Sequence, residues 1–182
     1  MLKILKEIYL YPGIHIREIS RKIKLGLPSV KNQVDKLVKE NLIYKKQEGR
    51  NIKLFADTKN IDIVPYLYQV EYHRLNALPE NIKTIIFDFL SLLEIKPIVT
   101  LIFGSYAKSN YTKKSDLDLL LVFNDINKKE IETKAKIISN RQDISLQPVY
   151  LSWNEFKRKF FDITDSFMQE VRKNKIIVCF LS

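Results

Sequence analysis

The residues in this chain whose types and spacing could do chemistry are Gly104, Ser105, Asp116 and Asp118. They fall in "FGSYAKSNYTKKSDLDLLLV", Phe103 to Val122, where a Gly-Ser turn follows one apolar run and an Asp-Leu-Asp alternation opens another. Charge at the mouth of a buried strand is costly to desolvate, so two carboxylates there need a reason. Strand alternation puts Asp116 and Asp118 on one face and Leu117 and Leu119 on the other. Side by side, the carboxylates repel unless a cation lies between them, and an all-oxygen donor set points to Mg²⁺.

The elements that must position these groups are legible on either side. "IVTLIFGSYAK" runs from a β-branched strand, Ile98 to Phe103, through Gly104-Ser105 into the start of a short helix at "YAKSN". A strand that ends in a small-residue turn before a helix exposes backbone N–H groups and favours a phosphate. Gly104 lets the backbone approach closely, and the Ser105 hydroxyl can donate to a phosphate oxygen. "LLLVF" after Asp118 reads as a second buried strand. Phosphate and divalent cation together point to a nucleotide.

This combination of Gly-Ser, ten further residues and Asp-X-Asp between two apolar strands resembles the signature of the DNA polymerase beta-like nucleotidyltransferase superfamily. Its small minimal nucleotidyltransferases, which include protein-adenylylating antitoxins of prokaryotes, are the nearest in pattern, and the likeness extends over 96–182. The resemblance implies that Gly104 and Ser105 bind nucleotide phosphates and that Asp116 and Asp118 bind Mg²⁺ as catalytic carboxylates. It puts Lys108, where the family often has Arg, on the same phosphates, and Ser109 where relatives usually have Gly. Active members carry a third acid on a later strand, here "ISLQPVYLSWNEF", and the alignment places Gln147 at that position. Gln cannot act as a base. Pro148 beside it suits an edge strand, and Asp143 reaches the site only in a different register. Two readings follow: a transferase working with two carboxylates, or a domain that binds nucleotide and metal without turnover.

The first third has another character. Apolar residues recur at helical spacing in Leu2 to Tyr9, in "IHIREISRKIKL" and in "LPSVKNQVDKLVKENLI", with breakers at Tyr11-Pro12-Gly13 and Gly26. Two extended segments, 42–46 and 51–55, follow around Glu48-Gly49-Arg50 and read as a hairpin. This order resembles the winged helix-turn-helix of bacterial and archaeal regulators, over about the first 58 residues. Such a module lays its second motif helix in the major groove and its wing along the backbone. The resemblance puts Ser29, Lys31, Asn32 and Lys36 against double-stranded DNA, with Lys45, Lys46, Arg50 and Lys53 at the wing. His15 reads as a helix-start cap.

Charge agrees with a polyanionic partner. The net charge is +10, and 1–58 carries 13 Lys/Arg against 6 Asp/Glu. The stretch 59–95 reads as a helical connector, with Tyr66, Tyr68 and Tyr72 as packing residues. One Cys179, expected as a small core residue on a final strand, forms no internal disulfide, and two separated His residues make no metal cluster. No apolar run approaches a membrane span, so a cytoplasmic protein is expected. The expected fold is α+β: a winged helix over 1–58, a connector over 59–95 and an α/β nucleotidyltransferase domain with a small mixed sheet over 96–182. The expected function is a transcription regulator binding Mg-nucleotide, with transfer of NMP to a protein such as a cognate toxin, or an inactive nucleotide-sensing or assembly domain as the alternative. Regulators of this type commonly form homodimers.

Overall fold

The computed structural model of the chain describes residues 1–180, with side chains described to Val178. The expected core position of the Cys179 side chain lies outside the described residues. Two compact units divide the chain at Val70 and Glu71.

In the first unit, α1 (Leu2–Leu10), α2 (Ile16–Ile23) and α3 (Leu27–Lys39) precede a hairpin of β1 (Ile43–Glu48) and β2 (Asn51–Ala56). α2 opens on His15, whose backbone N–H donates to Glu18 at 2.9 Å, closing one end of a capping box. α3 opens on Gly26 with Pro28 in its first turn, where a missing N–H costs nothing. Each helix presents apolar residues every three or four positions to one core of Ile4, Leu5, Ile8, Ile19, Val30, Val34 and Leu37, closed by Leu54 of β2. Fully burying one such side chain stabilises the fold by about 1.5–3 kcal/mol. The hairpin turn is Gly49-Arg50, with Gly49 at φ +61 and Glu48 paired to Asn51.

In the second unit, four strands form a mixed sheet in the order β5-β4-β3-β6: β3 (Val99–Ile102), β4 (Leu117–Phe123), β5 (Leu146–Ser152) and β6 (Ile176–Phe180). β4 pairs antiparallel with β3 and parallel with β5, while β3 pairs antiparallel with β6. Leu117, Leu119, Leu121 and Phe123 of β4 face a core shared with α5 (Glu80–Leu92) and α7 (Lys128–Gln142). Leu120 and Val122 face the other way, into a core completed by α8 (Trp153–Phe161) and α9 (Ser166–Lys173). With both faces covered, β4 is a near-continuous apolar run, as a central strand must be. β5 is an edge strand, and it carries Pro148; two residues earlier, the Leu146 N–H donates to Ser139 Oγ at 3.0 Å. Both features blunt the edge against stray pairing.

The stretch expected as a connector is divided between the two cores. Ile63, Tyr66 and Leu67 pack in the first, whereas Leu75, Leu78 and the inward face of α5 build the second. α4 (Val64–Asn76) ends inside the second unit, where buried Glu71 accepts from the Ile177 N–H at 3.0 Å and from Arg74, which also donates to the Lys175 carbonyl. Tyr68 and Tyr72, expected as packing residues, are exposed, because the buried face of α4 passes through Tyr66, Val70 and Leu75 instead.

Candidate functional sites

β3 delivers the chain into α6 (Gly104–Lys108), and the β3–β4 ladder decides what Gly104 meets. Ile102 pairs with Leu119, and the Phe103 N–H donates to the Asp118 carbonyl at 3.1 Å. The next residue therefore lands on the Asp118 side chain. Gly104 adopts φ +66, and a Cβ built on it would lie 2.1 Å from Asp118 Oδ2 and 3.0 Å from Cγ. Glycine is needed twice over here, for its left-handed backbone and for the room it leaves to a carboxylate.

Asp116 stands just ahead of β4, and Asp118 is its second residue, half-buried. Burial, and then the charge of Asp116, pushes the Asp118 carboxyl above its ordinary value. A cation between the two would relieve both causes. The donor chemistry fits a hard divalent ion such as Mg²⁺, held in part by other oxygens, because no group of three or more His, Cys, Asp or Glu residues able to hold a metal occurs among the described residues.

Gln147, aligned with the third acid in the sequence, lies on β5 beside Asp118. In the parallel β4–β5 register Asp118 is partnered by Gln147, and residues so paired project to the same face. The Gln147 amide donates to Ser145 Oγ at 2.8 Å. Asp143 is not on the strand at all: it caps the end of α7 in the left-handed region, φ 49.

Ser105 sits in the first turn of α6, half-buried. Lys108 ends that helix and lies 2.7 Å from Glu170 of α9, an ion pair that lowers the Glu170 pKa. The residue expected on phosphates is thus held by a carboxylate 62 positions away, for which the sequence carries no local signal. Ser109 follows at φ +59, a conformation that favours glycine. Sequence reasoning also missed the stacking of Tyr111 on buried Tyr106, centroids 4.5 Å apart, which ties the loop before Asp116 to α6.

In the first unit Ser29, Lys31, Asn32 and Lys36 are exposed on α3, opposite its buried Val30, Val34 and Leu37. The wing cations differ among themselves. Lys45 pairs with Asp35 of α3 at 2.6 Å, and Lys46 and Lys53 both pair with Glu48, at 3.5 and 2.5 Å. Lys36 reaches Glu40 at 3.9 Å, whereas Lys31 and Arg50 form no salt bridge among the described residues, although Lys31 helps lower the Asp35 carboxyl. His15 binds the hairpin through Nδ1 and the Ile52 carbonyl, 2.8 Å apart.

A helix-turn-helix with a β-hairpin, followed by an α/β unit with carboxylates over a Gly-Ser turn, defines the class: a DNA-binding module joined to a nucleotide-transfer fold. The chain belongs to the nucleotidyltransferase domain family, whose profile matches residues 82–178, and a winged helix-turn-helix DNA-binding profile matches residues 1–44. No significant match occurs among curated proteins. Among solved structures, the chain is similar to a toxin–antitoxin crystallised with AMP-PNP, at 16% identity and TM-score 0.42, over 57% of this chain and 75% of that one. It is also similar to a candidate nucleotidyltransferase from Sulfolobus solfataricus, at 20% identity and TM-score 0.33, over 59% of this chain and 84% of that one. The family assignment rests on the profiles and the geometry, not on these two likenesses. No helix among the described residues is long and apolar enough to cross a membrane.

Proposed function

We propose that this chain is a DNA-binding transcription regulator whose second unit binds a Mg²⁺-nucleotide, ATP or another NTP, at Gly104, Ser105, Asp116 and Asp118. The observation that carries the reading is the seating of the Asp118 carboxylate on Gly104, closer than any side chain would allow. A structural strand end has no use for a charged group held against a left-handed glycine, whereas a phosphate and cation site needs both. Asp116 and Asp118 would hold the metal, which when bound would offset phosphate charge. The Ser105 hydroxyl would donate to a phosphate oxygen. Lys108 would contribute from the far end of α6, after exchanging Glu170 for phosphate.

Binding is favoured over turnover by the Asp118–Gln147 partnership. In a transfer to a protein hydroxyl, the acceptor oxygen bonds to the α-phosphorus, pyrophosphate leaves, and the acceptor proton must go to a base. An amide cannot take it. Transfer of NMP to a partner such as a cognate toxin remains the second reading, supported by the two carboxylates the chain keeps. The DNA side follows from the winged helix and its cationic surface, in a cytoplasmic protein that binds DNA as a homodimer.

Calorimetric titration with ATP and Mg²⁺, against Asp116→Ala/Asp118→Ala, tests the site. Micromolar binding lost in the double variant supports it, and equal binding by both proteins overturns it. Labelled nucleotide incubated with candidate acceptor proteins separates binding from transfer.

A further inference from the structure

The second unit carries an aromatic and cationic surface that plays no part in the nucleotide site. α8 buries none of its residues completely. Its rings form a continuous ladder: Trp153 stacks on Phe156 at 6.0 Å, Phe156 meets Phe160 at 5.1 Å, and Phe160 meets Phe161 edge-on at 5.7 Å. Phe156 and Phe160 pack on the core beneath, but Trp153, Phe161 and Ile163 are 39%, 78% and 79% exposed. Trp153, Lys157 and Phe161 stand at i, i+4 and i+8, so they make one ridge along the helix. The Lys157 ammonium lies over the Trp153 ring, 5.5 Å from its centroid.

The charges around this ridge are uneven. Every acid from 152 to 165 is engaged locally: Glu155 accepts from the Ser152 N–H and hydroxyl, Asp162 from Thr164, and Asp165 from the Met168 N–H and from Lys159. Lys157 and Arg158 form no salt bridge among the described residues, although Arg158 stands near enough to Glu155 to help lower its carboxyl and Lys157 rests on the Trp153 ring. What remains beside the apolar ridge is a pair of exposed cations, Lys157 and Arg158, with the Glu155 and Asp162 carboxylates held in local hydrogen bonds.

We propose that this face docks an acidic amphipathic helix of a partner protein, its apolar stripe on Trp153, Phe161 and Ile163 and its carboxylates on Lys157 and Arg158. Charge complementarity selects this occupant. A second copy of the same face would set Lys157 and Arg158 against their own counterparts, and a single-stranded nucleic acid would gain no stacking from Ile163, the most exposed apolar side chain of the three. The surface lies on α8, which follows Ser152 at the far end of β5 from Gln147, so docking here leaves the Asp118 face free.

Trp153 is the chain's one tryptophan, so its emission reads this surface directly. The full-length protein is titrated with a synthetic 18-residue helical peptide, Leu on one face and Glu on the other. Its matched control carries Lys in place of Glu. A saturable blue shift with the acidic peptide is expected, at least tenfold weaker for the Lys peptide and for Lys157→Glu/Arg158→Glu, with unchanged circular dichroism in that variant. Phe161→Asp, at a mostly exposed position, should abolish the shift without lowering the melting temperature. No saturable shift, equal response to the two peptides, tighter quenching by oligo-dT, or a dimer formed by the protein alone and dispersed by Phe161→Asp would each overturn the proposal. Nucleotide binding is measured in the same samples, and its presence or absence leaves this test unaffected.

Discussion

Gln147 stands opposite Asp118 in the parallel β4–β5 register, and Asp116, just ahead of β4, is near enough to Asp118 to push its carboxyl up. On the proposed reading, an amide thus stands where a third carboxylate would complete the metal site and take a proton. Gln147→Glu is expected to convert the site. Bringing a third negative charge onto this face should lower the melting temperature of the free protein and tighten Mg²⁺ binding about tenfold, roughly 1.4 kcal/mol. Labelling of an acceptor by nucleotide should appear or rise. Thermal melts with and without Mg²⁺, alongside the labelling assay, check all three; unchanged metal affinity would place Gln147 outside the site.

Gly104 tolerates no side chain. A methyl group there would meet Asp118 Oδ2 at 2.1 Å and would also hold alanine at φ +66, a strain of about 1–2 kcal/mol before any clash. Gly104→Ala should lower stability by at least that amount and abolish nucleotide binding, because the carboxylate must leave its place. A melting temperature and an ATP affinity equal to the parent's would refute the close approach.

The raised pKa of Asp118 has a stability consequence of definite sign. The folded protein holds this proton more tightly than the unfolded chain does. From the ordinary aspartate range up to the raised value, stability therefore falls as pH rises, and above that window the whole penalty is present. Asp118→Asn should accordingly melt higher than the parent at neutral pH, and the gap should close on acidification below the ordinary aspartate range. Mg²⁺ should raise the melting temperature of the parent and not of the variant. A gap constant with pH would remove ionisation as its cause.

The fold was legible where local pattern and tertiary burial agree. Apolar spacing gave α1 to α3, the Gly49-Arg50 hairpin and the β-branched strand before Gly104. The strand that carries Gln147 was legible because it ends in a Ser152/Glu155 capping box. The rest depended on distant partners. Glu71 and Arg74 look like a solvated helical pair, but Glu71 is buried and Arg74 mostly covered because β6 returns past them. Lys108 reads as a free phosphate ligand until α9 brings Glu170 to it. The span 59–95 reads as a connector because a helix pattern does not say which core its apolar face will join.

Ser109 offers a gain rather than a loss. It holds φ +59 at the end of α6, with the Asn110 N–H donating to the Ser105 carbonyl at 3.1 Å, the closure typical of a helix that ends on glycine. Ser109→Gly should stabilise the second unit by about 1 kcal/mol, since left-handed strain exceeds the extra freedom glycine brings to the unfolded chain. Chemical denaturation measures it, and a destabilised variant would mean the serine hydroxyl has a partner worth more than the strain.

On the DNA face, the cations are unequal because some already have partners. Arg50 forms no salt bridge among the described residues and Lys31 acts on Asp35 only at a distance, so both would be available to phosphates, whereas Lys45 is held by Asp35, whose carboxyl it lowers most, and Lys53 does the same to Glu48. Each phosphate neutralised contributes about 0.9 to the slope of log affinity against log salt. Lys31→Ala and Arg50→Ala should each reduce that slope by about 1 and weaken binding uniformly across sequences. Lys45→Ala should cost less, because its charge is partly spent on Asp35. Asp35→Asn should strengthen binding, by releasing Lys45 and removing an anion from α3. Gel shifts over a salt series, using a duplex recovered by selection from a random pool, give the slopes. Equal losses for Lys45 and Arg50 would show that the Lys45–Asp35 pair opens on DNA at no cost.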